Sequence, residues 1–194
     1  MSKEKVLIIK LAYSETLDGE IGMITSLGDV LRSTVLLHLY KNAHVTWLVD
    51  EKAFLLLKGN PFVHRILSYD LTSVLQLQSE RFDTVINLEK VPGVCAFSDS
   101  INAWRRYGFR FDPENGVALA YDGSQHVLEI CMYQEYKKKT KKHWEEILFE
   151  MVGAKWQGEG CILGYKPQSN VTYDIGFNYD VGKKWPNKSW PMEY

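Results

Sequence analysis

Cysteines and long hydrophobic runs are scarce in this sequence. Each shortage argues against a class of protein, the first against disulfide-rich proteins and the second against membrane-spanning ones. The three cysteines, Cys95, Cys131 and Cys161, lie far apart and form no CxxC pair. A disulfide framework is therefore not expected, and reduced thiols are typical of a cytosolic protein. The apolar run near the start, Val6–Ile9, is too short for a signal-peptide core or a membrane span. We expect a soluble cytoplasmic protein that is not exported by that route.

An excess of charge of one sign is also lacking. The 23 lysines and arginines balance 24 acidic residues, which leaves a net charge of -1. No overall field draws such a chain to nucleic acid or to an anionic membrane, so any anion site must be local. The five histidines lack the spacing of metal ligands, and neither a GxGxxG motif nor a P-loop occurs. We expect no metal, and neither NAD nor ATP use.

What the sequence does contain is an alternation of strand-like and helix-like segments. Short runs rich in β-branched residues predict four strands: Val6–Ile9, Val45–Val49, His64–Leu67 and Thr84–Leu88. Three other segments have helix-like spacing of apolar residues: Leu31–Tyr40, Glu51–Lys58 and Leu71–Glu80. This alternation predicts an α/β domain with a parallel sheet.

The second half of the sequence is less regular. Arg105–Phe111 and Val117–Tyr121 are predicted to be paired strands, because the turn between them contains Pro113 and Gly116. Apolar spacing predicts a helix over Lys142–Val152, followed by a glycine placed to end it.

A change in composition near residue 166 predicts a domain boundary. We expect residues 1–166 to form one domain and residues 167–194 to be a linker and the start of a second domain. Asp174–Asn178 is predicted to be the first strand of that second domain, and Trp190–Tyr194 the beginning of a helix.

The segment Ser26-Leu27-Gly28-Asp29 is the first candidate site. It follows the first predicted strand and leads into a helix, and ligands bind at this place in open parallel sheets. The residues alone leave two interpretations open. Ser26 and Asp29 have the spacing of a capping box, with Ser26 as N-cap and Asp29 at the third helical position. Alternatively, Asp29 is a catalytic carboxylate, and Gly28 leaves backbone amides open to a ligand.

A resemblance favours the second interpretation. Four segments together resemble the opening of the family 9 glycosyltransferases, best known for lipopolysaccharide heptosyltransferases: Val6–Lys10, Ser26–Arg32, Val45–Val49 and Phe82–Leu88. Tyr173–Asn178 and Asn187-Lys-Ser-Trp-Pro191 resemble the first strand and the Lys-x-Trp-Pro signature of the second domain of that family. The resemblance covers nearly the whole chain.

The resemblance implies a GT-B architecture, in which two Rossmann-like domains, with helices on both faces of each sheet, face each other across a cleft. The first domain holds the acceptor, a saccharide or glycolipid. The second holds a nucleotide-sugar such as ADP-heptose. Asp29 would be the base in an inverting transfer, Ser26 and Gly28 would lie beside the substrate, and Lys188 would contact the donor phosphate. The family needs no metal, and its members act in the cytoplasm or at the inner membrane surface in lipopolysaccharide biosynthesis.

Two departures from the family pattern qualify this expectation. Leu11–Thr25 inserts an acidic loop before the Asp29 motif, which puts a heptose-core acceptor in doubt. The chain also ends early in the predicted second domain. Two alternatives stay open: a second chain carries the donor-binding half, or this chain is a fragment that folds but does not bind the nucleotide-sugar properly. In either case we expect no transferase activity from this chain alone. A non-catalytic Rossmann-like binding module that docks on such a partner is the alternative function.

Two basic segments are further candidates for an anion site. Arg105 and Arg106 lie in a run of alternating basic and aromatic residues, and we hypothesise that one of them faces an anionic acceptor. The run Lys137–Lys142 is interpreted as a solvated loop. A nucleic-acid partner is the weakest hypothesis, because no recognition motif and no net positive charge accompany these segments. At most, the chain would contact a membrane peripherally.

Overall fold

A six-stranded sheet organises the chain in the computed structural model, which describes residues 3–13, 25–165, 171–177 and 188–189. The strand order is β3-β2-β1-β4-β5-β6. All neighbours are parallel except β5 and β6, which are antiparallel. The strands are β1 Lys5–Ile9, β2 His44–Val49, β3 Arg65–Ser68, β4 Arg81–Asn87, β5 Asn102–Asp112 and β6 Val117–Ala120. The predicted parallel α/β sheet is confirmed.

The helices connect these strands and cover the sheet. They are α1 Leu27–Ser33, α2 Phe54–Leu57, α3 Leu71–Gln78, α4 Pro92–Ser100, α5 Gln125–Met132, α6 Gln134–Lys139 and α7 Trp144–Met151, with 3-10 helices at Thr34–His38 and Glu51–Ala53. The predicted helix Leu31–Tyr40 is thus a short α-helix that tightens into a 3-10 helix. Thr34 marks the change, because its Oγ1 donates to the Leu31 carbonyl at 2.6 Å, a side-chain bond that competes with regular helix bonding.

Strand β1 lies at the centre of two hydrophobic cores. Its side chains from Val6 to Ile9 are fully buried, as is typical of a parallel strand covered on both faces. Val6 and Ile8 point into one core, with side chains of α1, α5 and α7. Leu7 and Ile9 point into the other, with side chains of α3 and α4. The alternation of side chains along a strand therefore divides β1 between the two layers of helices.

The predicted hairpin and the last predicted helix are also confirmed. Strand β5 begins at Asn102, three residues before the predicted start, and pairs antiparallel with β6. Helix α7 begins at Trp144 and ends at Met151, inside the predicted range, and Gly153 follows it with a φ of 76°.

After α7 the chain returns across the domain as residues 154–165, which form no helix or strand. Three hydrogen bonds hold this returning segment: His38 Nε2 to the Gly160 oxygen at 2.9 Å, Asn60 Nδ2 to the Ile162 oxygen at 2.9 Å, and the Ile162 N–H to Thr34 Oγ1 at 2.9 Å. The returning segment is therefore part of this domain.

Residues 171–177 differ from the prediction. No strand is formed there, and Tyr173, Ile175 and Phe177 are 83%, 71% and 82% exposed. A strand needs a neighbour to satisfy its backbone hydrogen bonds, and none of the described strands pairs with this segment. Asn178, Trp190–Tyr194 and the part of the acidic insertion at positions 14–24 lie outside the described residues. The division into two domains stays a prediction.

Candidate functional site

The site lies where the direction of the chain connections reverses. From β1 the chain moves to β2 and β3 on one side of the sheet, whereas β4 leads to β5 and β6 on the other. Open α/β sheets bind ligands outside the carboxyl ends of their strands at such a switch point. A cavity of about 710 Å³ lies at this place, lined by Lys10 after β1 and by Leu88 and Lys90 after β4.

The cavity lining is partly cationic and partly apolar. Five basic residues line it: Lys10, Arg32, Lys90, Lys137 and Lys142. Asp29 is the acidic residue among the lining side chains. The apolar wall comes mainly from β5 and the helices α5 and α7, with Phe109, Val127, Ile130, Ile147 and Leu148. This division fits an organic anion, since the basic side chains attract the charge and the wall covers a carbon framework.

Asp29 enters the cavity from the first turn of α1. Its side chain is 40% exposed, and Oδ1 lies 2.6 Å from Nη2 of Arg32. Burial raises the pKa of Asp29, but hydrogen bonds from the Ser26 and Arg32 side chains and the charges of Lys10 and Arg32 outweigh it, so the pKa is lower than usual. Asp29 is therefore ionised at neutral pH and presents a carboxylate to the cavity.

The predicted capping box is only partly formed. Ser26 is the N-cap of α1 in extended backbone conformation, and Asp29 occupies the third helical position, as predicted. However, the Ser26 side chain makes no capping bond to the helix backbone. The Asp29 N–H donates instead to the Ser26 carbonyl at 3.0 Å, and the two side chains bond to each other. The Asp29 carboxylate is thus held by side chains.

Gly28 leaves open space beside Asp29. No atom lies within 4 Å of the point where a Cβ would be placed on Gly28, and the residue is exposed. Nothing in the described protein therefore requires glycine here. The proposed approach of a substrate to the Gly28 and Ser26 backbone stays a prediction.

A buried ion pair beneath the cavity was not predicted. Lys10 Nζ lies 3.0 Å from Oε1 of Glu89, which is 1% exposed, and also donates to the Leu88 carbonyl at 3.2 Å. Lys10 directly follows the buried strand β1, and Glu89 lies two residues after the end of β4. Charged residues at the ends of two such strands were the available signal, because parallel strands bring their carboxyl ends to the same edge.

The interpretation of Lys137–Lys142 as a solvated loop is wrong in part. Residues Gln134–Lys139 form α6, and Lys137 and Lys142 line the cavity. Lys142 Nζ is held by Glu150 at 2.6 and 2.7 Å. Lys139 does not line the cavity and lies 3.8 Å from Glu135 in an exposed pair on the helix surface. The fold of α5–α7 thus turns part of a basic run toward the site.

Arg105 and Arg106 are not brought to this cavity. Arg105 forms an exposed ion pair with Glu4 at 2.8 Å, before the start of β1 and therefore at the opposite edge of the sheet. Arg106 donates to the carbonyls of Ser98 and Ile101 at the end of α4. Both guanidinium groups thus have partners within the protein, and their position gives no support to the hypothesis that either one contacts the acceptor here.

Lys188 is exposed and does not line the cavity in the described structure. Its contact with a donor phosphate stays a prediction. Among the residues that the structure describes, no group of three or more histidine, cysteine, aspartate or glutamate side chains is placed to hold a metal ion. In the same residues, no helix is long and apolar enough to cross a bilayer.

Comparison with known proteins bears on the fold. No protein-family model matches the sequence, and no curated protein matches it significantly. Among solved structures, E. coli heptosyltransferase WaaC with ADP is similar with a TM-score of 0.51 and 19% identity, over 80% of this chain and 50% of that chain. The same enzyme with ADP-2-deoxy-2-fluoro heptose is similar with a TM-score of 0.50 and 17% identity, over 80% and 51%.

A glycosyl transferase family 9 structure from Veillonella parvula has a TM-score of 0.48 and 17% identity, over 78% of this chain and 41% of that chain. The chain thus spans about half the length of the solved structures it matches. The likeness to the E. coli enzyme confirms the predicted fold, a Rossmann-like half of a heptosyltransferase-like GT-B architecture. At this level of identity it establishes the fold and not the activity.

Proposed function

We propose that this chain is the acceptor-binding half of an inverting, heptosyltransferase-like glycosyltransferase. Its donor would be a nucleoside-diphosphate sugar such as ADP-heptose, and its acceptor a hydroxyl of a saccharide or glycolipid. The observation that carries the proposal is the ionised Asp29 carboxylate, which lines a cationic cavity at the switch point of the sheet. The shared fold with a heptosyltransferase bound to ADP supports the same assignment.

The chemistry needs one carboxylate near the attacking oxygen. The acceptor oxygen forms a bond to the anomeric carbon of the donor, the bond from that carbon to the diphosphate oxygen breaks, and the hydroxyl proton passes to Asp29. A carboxylate with a lowered pKa is a weak base toward a free hydroxyl. The hydroxyl becomes more acidic as its oxygen bonds to carbon, so Asp29 accepts the proton late in the step. The donor phosphates would need positive charge opposite Asp29. Lys188, in the predicted start of the second domain, is the proposed contributor.

The lining of the cavity also suggests the kind of acceptor. Five basic side chains and one acidic side chain line the cavity, together with apolar side chains of β5, α5 and α7. An acceptor that carries a carboxylate or phosphate near the reacting hydroxyl would match both parts, because it would place its charge among the lysines and its hydroxyl beside Asp29.

The test is glycosyl transfer by the complete transferase, or by this chain reassembled with a donor-binding half. Asp29→Asn keeps the size of the side chain and removes its basicity. We expect kcat to fall about 100-fold or more, since a positioned general base contributes roughly that much. Asp122→Asn, at an exposed turn away from the cavity lining, is the control and should leave kcat unchanged. Equal rates for Asp29→Asn and the wild type would exclude Asp29 as the base.

The alternative function is a non-catalytic binding module, and one observation favours it. The Asp29 carboxylate already has an ion-pair partner, Arg32 at 2.6 Å, and a structural pair needs no reaction. In that case the cavity would bind an anionic saccharide, and Asp29→Asn would leave any transfer by a partner unchanged. Transfer that depends on Asp29 would exclude this alternative.

A further inference from the structure

Glu89 is a buried carboxylate that does not line the cavity yet lies directly beneath it. Its Oε1 accepts hydrogen bonds from the Leu11 N–H at 2.8 Å and the Ala12 N–H at 2.6 Å. The same oxygen lies 3.0 Å from Lys10 Nζ. A buried charge is unfavourable unless it is paired and hydrogen-bonded, and this one has both kinds of partner. All three partners belong to the segment that follows β1.

The end of β4 holds Glu89 in this place through Asn87, which is fully buried. Asn87 Nδ2 donates to the Phe109 carbonyl at 2.8 Å, and Asn87 Oδ1 accepts from the Glu89 N–H at 3.0 Å. Strand β5 approaches closely here, since a Cβ on Gly108 would lie 1.8 Å from the Asn87 carbonyl oxygen. The backbone that carries Glu89 is therefore fixed from two sides.

From Glu89 the contacts lead to Asp29 by two routes. The first is the backbone: Ala12 has a φ of 61°, a left-handed conformation that is rare outside glycine, and its carbonyl accepts from the Ser26 N–H at 3.1 Å. Ser26 is the N-cap of the helix that carries Asp29. The second is electrostatic: Lys10, paired with Glu89, lines the cavity and its charge lowers the pKa of Asp29.

We propose that Glu89 is a positioning residue, which holds Lys10 and the turn at Ala12 in the arrangement that places Asp29 for its reaction. This inference rests on the proposed function, in which Asp29 is the base. Glu89 touches no substrate. The negative charge of Glu89 offsets part of the positive charge of Lys10. Lys10 therefore lowers the proton affinity of Asp29 less than an unpaired lysine would.

Several other charged groups face the cavity around Asp29. They are Arg32 on the same helix, Lys90 after β4, Lys137 on α6 and Lys142 before α7, together with the titratable Tyr13 after β1. All of them remain unchanged when Glu89 or Lys10 is replaced. A change in the titration of Asp29 between such variants therefore reports on the Lys10 and Glu89 pair.

The experiment is a carbon-13 NMR titration of the Asp29 carboxyl group in the folded protein. Glu89→Gln keeps an oxygen for the Leu11 and Ala12 amides and removes the charge. We expect the acid dissociation constant of Asp29 to rise by about twofold to fivefold, because an uncompensated Lys10 favours the carboxylate. Lys10→Met removes the positive charge and should shift the constant in the opposite direction. A purely structural role for Glu89 does not predict shifts of opposite sign.

An unchanged Asp29 titration in a folded Glu89→Gln variant overturns the proposal. If that variant does not fold, Lys10→Met alone tests the electrostatic route, and an unchanged Asp29 titration in it overturns the proposal. The NMR titration does not depend on glycosyl transfer. If the titration shifts while the acidic limb of the kcat/KM profile in the complete transferase does not, the positioning role stands and the assignment of Asp29 as base fails.

Discussion

Aspartates that follow strands β2 and β3 behave differently from the aspartate at the switch point. Asp50, after β2, accepts from the Lys52 N–H at 2.9 Å, and Asp70, after β3, accepts from the Ser73 N–H at 2.7 Å. Both cap the helix that follows. The Asp29 side chain bonds instead to the side chains of Ser26 and Arg32 beside the cavity. Asp50 also accepts from the Tyr13 hydroxyl at 2.6 Å. What distinguishes Asp29 is that it lines the cavity, whereas Asp50 and Asp70 do not and each binds a backbone amide of the fold.

The largest expected effect concerns the backbone that supports the switch point. Gly108→Ala should lower the free energy of unfolding by about 3 kcal/mol or more, because φ is 90° and the added Cβ would overlap the Asn87 carbonyl oxygen. Gly28→Ala is the control: its Cβ meets open space, so stability should change by less than about 1 kcal/mol. Urea unfolding measures both. Similar losses for the two variants would contradict the close approach of β5 to β4.

The second prediction compares two lysines of the run Lys137–Lys142. Lys137→Met removes a cation from the cavity lining and should weaken binding of an anionic saccharide or of inorganic phosphate by about threefold to tenfold, roughly 0.7–1.4 kcal/mol. Lys139→Met, on the same helix but outside the lining, should leave affinity unchanged. Isothermal titration calorimetry at fixed ionic strength compares them. An equal loss for both would mean that general charge, and not the cavity, binds the anion.

The third prediction tests the comparison of the aspartates directly. Asp70→Ala removes a backbone cap and should cost about 1 kcal/mol of stability. Asp29→Ala removes a partly exposed ion pair and should cost at most about 0.5 kcal/mol, because solvent screens such pairs. Denaturant unfolding of the two variants at neutral pH provides the measurement. A larger loss for Asp29→Ala than for Asp70→Ala would reverse the distinction.

The smallest expected effect is a dependence of stability on pH. The pKa of Asp29 in the folded protein is lower than its ordinary value of about 3.9, so the unfolded chain binds more protons in this range. Its contribution is present above pH ~4 and is lost as the pH falls through the folded pKa. The stability difference between wild type and Asp29→Asn, under about 1 kcal/mol, should therefore shrink below pH ~4. A stability difference between the two proteins that grows as the pH falls would contradict this prediction.

Local patterns predicted the framework of this fold and part of its site. The buried run Val6–Ile9 identified a central strand, and the spacing of Ser26 and Asp29 located a helix start, since both signals lie within a few residues. The contact between Glu89 and Leu11 joins residues 78 apart, and no local pattern specifies which distant strand ends meet.

Arg105 shows a different limit of the sequence. Alternation predicted a strand there, but not where the strand begins. With β5 starting at Asn102, Arg105 lies near the amino end of the strand, and the cavity lies at the carboxyl end of the sheet. The prediction of a solvated loop at Lys137–Lys142 shows another limit. A basic run is usually solvated, and only the packing of α5–α7 determines that two of its lysines border a cavity.

The returning segment, residues 154–165, has a consequence for the order in which the domain forms. Its hydrogen bonds join Ile162 to Asn60 and to Thr34, residues that are 102 and 128 positions apart. Such contacts close very long loops, and the entropy of closing them is lost before the contacts are made. The sheet and the helices around β1 can assemble first, and the returning segment then closes over them. By the same reasoning its amide protons should exchange with solvent sooner than those of β1, through openings that leave the sheet intact.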